Sequence, residues 1–344
     1  MLLIERGAEE DINPRDQDKE TPLYLACEGG HIGVVRLLLD KGADIHYQNQ
    51  FGWTPLQVAS HKGFSDIVLL LIERGAEADI NLPDRVGGTS LYNACYSGRV
   101  EVVESLVAKR ADLEYANESG LTPLIIASIN GFFDVVTVLL ENGTAIDSVN
   151  YKGRTPLHAA SWGGSLNVTN LLLEKGANIA NVDGGGLTSL HHASLNGSIE
   201  VVSFLLEKGA ALKSVVKGGS TPLHSASLTD LLDVVNLLLD KGAAIESVDV
   251  HLGTPLHTAS ASGHMDVVNL LLERGAAIES GNFDDRTLLR YVSPHGQLGV
   301  INNFLRFGNL RIDIQIERGC TPLFYVVARG PNQVVKLILL PPSL

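Results

Sequence analysis

Residues 155–187 read TPLHAASWGGSLNVTNLLLEKGANIANVDGGGL, and this stretch decides the fold. Thr155 offers a side-chain oxygen to cap a helix, and Pro156 stands at the first helical position, where its missing N–H is not needed. A short helix follows and stops at Gly164, the residue type that suits the left-handed turn after a helix end. A second helix then runs to Glu174 and Lys175, as it does in the later copy Asp266–Arg274. The Lys or Arg lies in its last turn, where a cation suits the helix dipole. Gly176-Ala177 closes it, and roughly a dozen loop residues lead to the next Thr.

The same unit recurs along almost the whole chain. Its anchors are Thr21, Thr54, Thr89, Thr122, Thr155, Thr188, Thr221, Thr254, Thr287 and Thr321, spaced 33 to 35 residues apart. Nine residues after nearly every anchor comes Gly; the Thr221 unit has Asp230 instead. Twenty-one residues after the anchor, eight units carry Gly, from Gly42 to Gly308. Pro follows the anchor in seven of the ten units. One such unit buries too little apolar surface to hold its own backbone ordered, so neighbouring units must stack.

The pattern resembles the ankyrin repeat, whose period is about 33 residues and whose signature is Thr-Pro-Leu-His-x-Ala. Thr155 to Ala160, Thr221 to Ala226 and Thr254 to Ala259 match that signature in full. The resemblance implies an all-α solenoid of stacked helix-turn-helix units with hairpin-like finger loops at right angles. It spans residues 1–344 as a single array. It further implies a non-catalytic scaffold for protein–protein interaction, within a larger multidomain protein.

Composition narrows the classes that remain. The formal charge of −13 argues against a nucleic-acid binder. No apolar run approaches the roughly 18 residues of a membrane span. Three Cys in 344 residues make no disulfide framework. The reading is an acidic protein of a reducing compartment, the cytoplasm, with the nucleus left open. It binds neither nucleic acid nor membrane, and its oligomeric state is undetermined.

Both ends depart from the repeat. Met1 to Asn13 matches Leu69 to Asn81 at eleven of thirteen positions, so residues 1–13 read as a partial repeat, either cut or evolved from a longer array or a natural half-unit cap. Full repeats run from the Thr21 unit to the Thr254 unit. Residues 282–344 read as degenerate, with Leu288 and Arg290 in place of Pro and His, and with Pro294 inside a helix window. The last unit ends in Lys336 to Pro342 (KLILLPP), an apolar edge. A structural array joined through such ends is an alternative function, and an enzyme with a groove active site is a weaker one.

Candidate chemistry is sparse. His158, His191, His224 and His257 recur at one unit position, too far apart to share a metal of about 2.0–2.1 Å ligand distance. The resemblance gives them a structural role, bonding the loop and the capping Thr. His192, beside His191, falls where the family faces its groove and is a candidate contact. Cys27 and Cys95 read as core residues, while Cys320 reads as partly exposed. Gly184-Gly185-Gly186 lacks the Lys-Ser/Thr of a phosphate loop. No catalytic set, cofactor site or metal site is expected.

In the resemblance, partners dock on finger tips and first helices, at offsets −4, −3, −1, +7 and +8 from the anchor. Over the six units from Thr54 to Thr221 those thirty positions hold five of the chain's 19 aromatics: Phe51, Trp53, Tyr96, Tyr151 and Trp162. They also hold Lys62, Arg85, Lys152, Arg154 and Lys217 against one acid, Glu118. Leu121, Ile129, Leu187 and Leu195 extend the stripe. Trp, Tyr and Arg dominate interface hot spots. The expected partner is a protein or peptide segment that carries apolar residues beside acidic ones.

Overall fold

The computed structural model describes residues 12–251 and 253–278. They hold sixteen α-helices in eight pairs and no strand. The chain divides into two compact units, residues 1–178 and 179–344. The first unit contains α1 (Pro22–Glu28) and α2 (Ile32–Asp40), α3 (Pro55–Lys62) and α4 (Ser65–Glu73), and α5 (Ser90–Tyr96) and α6 (Val100–Ala108). It continues with α7 (Pro123–Asn130) and α8 (Phe133–Glu141), then α9 (Pro156–Gly163) and α10 (Leu166–Glu174). The second contains α11 (Ser189–Asn196) and α12 (Ile199–Glu207), α13 (Pro222–Leu228) and α14 (Leu232–Asp240), and α15 (Pro255–Ser262) and α16 (Met265–Glu273). Residues 1–11 of the partial repeat, the degenerate 282–344 end and Cys320 lie outside the described residues.

Within each unit the helices form two rows. In the first, α1, α3, α5, α7 and α9 pack each on the next, α2, α4, α6, α8 and α10 do the same, and each pair packs internally. The second unit repeats the scheme with α11, α13 and α15 against α12, α14 and α16. Between the rows lie fully buried side chains such as Leu56, Leu71, Leu91, Leu106, Leu124 and Leu139.

Every anchor Thr in the described residues caps its helix. Its side-chain oxygen accepts the backbone N–H three residues on, at 3.2 Å for Tyr24 and Gln57 and 3.5 Å for His191. The basic residue expected in the last turn of the second helices sits one step further, as the C-cap, in seven of the eight: Lys41, Arg74, Lys109, Lys175, Lys208, Lys241 and Arg274, with Asn142 at the end of α8. It still lies beside the unpaired carbonyls of the helix end.

In several repeats a polar side chain three residues after the Thr ties one repeat to the next. In the second unit the Thr188 N–H donates to His191 Nδ1 at 3.2 Å, and the Thr221 N–H to His224 Nδ1 at 3.1 Å. A backbone N–H is an obligate donor, so Nδ1 must be bare, and the proton sits on Nε2. That Nε2–H then donates to a carbonyl of the following finger, Ser220 O at 3.2 Å from His191 and Gly253 O at 3.0 Å from His224. Gln57 performs the same task in the first unit. Its Oε1 accepts from Thr54 N–H at 2.8 Å and its Nε2 donates to Leu82 O and Gly88 O at 2.8 and 3.0 Å. The structural reading of this position therefore holds, and it extends to a non-titrating residue.

Two positions where the glycine pattern lapses keep the backbone that glycine would adopt. Arg110, twenty-one residues after Thr89, has φ 63°, and Asp230, nine after Thr221, has φ 55°. An L-residue there costs roughly 1–2 kcal/mol, part of which glycine loses again to chain entropy.

Two outcomes follow. Burial pushes the His191 imidazole down to about 4 from an ordinary 6.5, and His224 moves the same way. The unfolded chain binds these protons first, so their contribution is complete above about pH 6.5 and is lost as pH falls toward 4. Denaturant midpoints of His191→Gln across that window will fall less steeply than those of the wild type; an unchanged slope contradicts the neutral tautomer. Separately, Arg110→Gly raises unfolding free energy by about 0.5–1 kcal/mol, and Asp230→Gly by less, since Asp tolerates this backbone better. Urea melts of the two variants measure this.

Candidate partner-docking groove

The fingers are shaped by one acceptor each. Five residues before each of the eight anchors in the described residues stands Asp16, Asn49, Asp84, Asn117, Asn150, Asp183 or Asp249, with Val216 the exception. The side-chain oxygen of Asn49 accepts the N–H groups of Phe51 and Trp53 at 2.9 and 3.0 Å, and Asp84 does the same for Val86 and Gly88. Successive fingers are stitched by backbone bonds in constant register. Gln50 N–H donates to Asp18 O, Arg85 N–H to Phe51 O and Glu118 N–H to Val86 O, at 3.0 to 3.2 Å. This row of locked turns fixes where finger-tip side chains stand. The sequence reading did not use these residues, although their regular spacing was available to find them.

Against α1 and α3 the fingers border an open cavity of about 470 Å³ in the first unit. That size falls within the roughly 300–1,000 Å³ of ligand clefts. Its floor and walls bring together four of the sequence-derived residues, Phe51, Trp53, Lys62 and Arg85, with Tyr24, Val58, His61 and Val86. Phe51 is 57 % exposed at the mouth, and Trp53 is half-buried. The Trp53 ring meets the His61 ring edge-on with centroids 5.3 Å apart, and Tyr96, itself 50 % exposed, stacks on His61 at 6.2 Å. Burial, then the charges of Lys62 and Arg99, hold His61 below its ordinary range, so it serves as a neutral ring at pH 7. Its Nδ1 lies within hydrogen-bond distance of Ser97 Oγ, at 2.7 Å.

The cavity also contains two acids outside the stripe, Glu20 and Glu28. They occupy offsets −1 and +7 of the Thr21 unit, so the same rule applied one repeat earlier selects them. Glu28 Oε1 lies 3.2 Å from Lys62 Nζ. The Lys62 charge is therefore already matched within the chain.

The remaining stripe residues fall into place as follows. Tyr151 is 78 % exposed and Trp162 43 %, and the Arg154 guanidinium lies 6.0 Å from the Trp162 ring centroid. This is a second aromatic–cation cluster in the first unit, at the edge of cation–π range. Leu121 and Ile129 are half-buried. Gly163 beside Trp162 allows α9 to approach α7 closely, for a Cβ there would lie 2.1 Å from the Ile129 carbonyl oxygen. Leu187 and Leu195 belong to the second unit and are also half-buried.

His192 does not face a groove. It is 0 % exposed, and its Nε2 lies 3.1 Å from Asp183 Oδ2. Burial alone raises the Asp183 carboxyl, but N–H donation from Leu187 and Gly185 and the His192 contact together bring it below its usual range. The position was read from a family offset; here the finger acid reaches back and claims the ring. Cys27 and Cys95 are buried, as expected, and burial pushes the Cys27 thiol up to about 12. Among the described residues no group of three or more His, Cys, Asp or Glu is placed to hold a metal ion, and no helix is long and apolar enough to cross a membrane.

Paired helices, capping threonines and stitched fingers are the features of one class of repeat protein. The chain belongs to the ankyrin-repeat family, whose model, described as Ankyrin repeats (3 copies), matches residues 1–84, 33–117, 91–183, 178–249 and 218–282. A stretch of 45 residues is 51% identical to ankyrin repeat domain-containing protein 49 of Bos taurus, covering 13% of this chain and 18% of that protein. The Homo sapiens protein of the same description is 42% identical over 45 residues, with the same coverage. A putative ankyrin repeat protein of Fowlpox virus (strain NVSL) is 46% identical over 44 residues, 13% of this chain and 10% of that one. The matched stretch thus spans less than a fifth of each relative. Ankyrin repeats generally mediate protein–protein interaction, and the family is typically non-enzymatic.

The finger geometry makes one prediction. Asn49→Ala removes the acceptor for two N–H groups and destabilises the chain by about 1–3 kcal/mol. Urea denaturation measures it, and an unchanged midpoint contradicts the role given to this side chain.

Proposed function

We propose that this chain is a non-catalytic interaction scaffold that docks a segment of a protein partner along the groove between fingers and first helices. The array of residues 1–344 serves this purpose within a larger multidomain protein of the cytoplasm. The observation that carries the reading is the cavity in which Phe51, Trp53, Lys62 and Arg85 converge. Exposed aromatics beside cations form the kind of surface on which a few residues supply most binding energy. Tyr151, Arg154 and Trp162 offer a second anchor point in the same unit, with Leu121 and Ile129 nearby in the repeat order. Leu187 and Leu195 extend the reading to the second unit. The partner segment is apolar with acidic residues, matching the cations of the stripe.

Peptides selected from a displayed random library against the wild-type chain test this. Their affinity is expected to fall roughly tenfold or more in Trp53→Ala, Trp162→Ala or both, as truncation of a hot-spot aromatic does. Wild-type affinity in both variants contradicts the groove.

A further inference from the structure

The cavity at residues 20–86 is electrically divided, which the stripe alone does not show. On the wall formed by the Thr21 unit stands Glu20, half-buried, its carboxylate accepting from Asn49 Nδ2 at a long 3.4 Å. Burial, and then the carboxylates of Asp16, Glu28 and Asp18, hold its carboxyl above the ordinary range against the Asn49 amide, and Glu20 has no ion pair among the described residues. On the facing finger stands Arg85, exposed, with no ion pair among the described residues. Lys62 and Glu28 match each other, and Arg99 donates through Nε to His61 O at 3.2 Å. What remains unmatched is one anionic wall and one cation, with Tyr24, Phe51, Trp53 and Val58 between them.

Resting on the groove reading above, we propose that this pocket takes a bulky apolar side chain of an extended partner segment whose flanking residues carry opposite charges. A cation lies against Glu20 and a carboxylate against Arg85. A wholly acidic segment would set a like charge against Glu20, and a wholly basic one against Arg85. Like-charge juxtaposition across an interface suppresses the wrong partner, so the charge order is a specificity device. The acidic character of the partner is then local to the Arg85 side.

Four blocked peptides test the order: acetyl-Lys-Gly-Leu-Gly-Asp-amide, its reverse, and the forms with Asp at both ends or Lys at both ends. The readout is the indole N–H signal of Trp53 in the full wild-type chain, assigned as the one of the two indole signals that a Trp162→Phe variant retains. One mixed-charge peptide is expected to half-saturate the shift at a roughly tenfold lower concentration than either single-sign peptide, as one added charge contact allows. Arg85→Gln and Glu20→Gln are each expected to erase that preference. Equal half-saturation by the two-Asp peptide overturns the charge order and leaves the groove reading standing. No shift of Trp53 with any of the four overturns the pocket as an anchor, while the library-selected peptides judge the groove independently.

Discussion

The structure depends on hydrogen bonds that cross from one repeat to the next. A helix hairpin of this length cannot hold itself, and its finger has no partner within its own repeat. Two sets of bonds solve both problems. In five repeats the side chain three residues after the Thr, Gln57, His158, His191, His224 or His257, accepts the cap N–H of its own helix. In His191, His224 and Gln57 the other end holds the next finger. The finger backbones then bond each other in constant register. Apolar packing between helix rows supplies the burial, but it is tolerant of sliding. The polar bonds set the register, because each misplaced buried N–H or carbonyl carries its own cost.

That rigid frame is what gives the groove its chemistry. Phe51 and Trp53 stand on a turn whose two N–H groups are held by Asn49. Trp53, His61 and Tyr96 lie ring against ring across two repeats. Side chains pre-set in this way lose little freedom when a partner arrives. The exposed aromatic and cationic surface is thus presented on elements that packing and turns already immobilise. The same stiffness explains how a chain of net charge −13 can offer a locally cationic finger. Charge is sorted by unit position, repeat by repeat.

Much of this was legible in the residues. The Thr spacing marked eight helix starts now seen as capped, and the glycines marked helix ends. Even Asp230 and Arg110, where glycine is missing, adopt the backbone that the pattern required. The side-chain pairing between elements was not legible. Lys62 counts as a cation in the sequence, yet Glu28, thirty-four positions earlier, matches it. His192 occupies a groove offset but is drawn inward by Asp183. Both outcomes depend on which side chain of a neighbouring turn or repeat comes within a few ångströms, and period alone does not encode that. The finger acids and amides were visible as a column, but their meaning lies in N–H groups that any residue carries.

Amide hydrogen exchange of the full chain, with and without a library-selected peptide, tests the central claim most directly. A segment lying in the groove slows exchange at residues 49–53 and 84–88 and along α3, and leaves α4 and α6 unchanged. Protection that appears on α4 and α6 while those fingers exchange at their free rate would place the working surface on the opposite row and contradict this account.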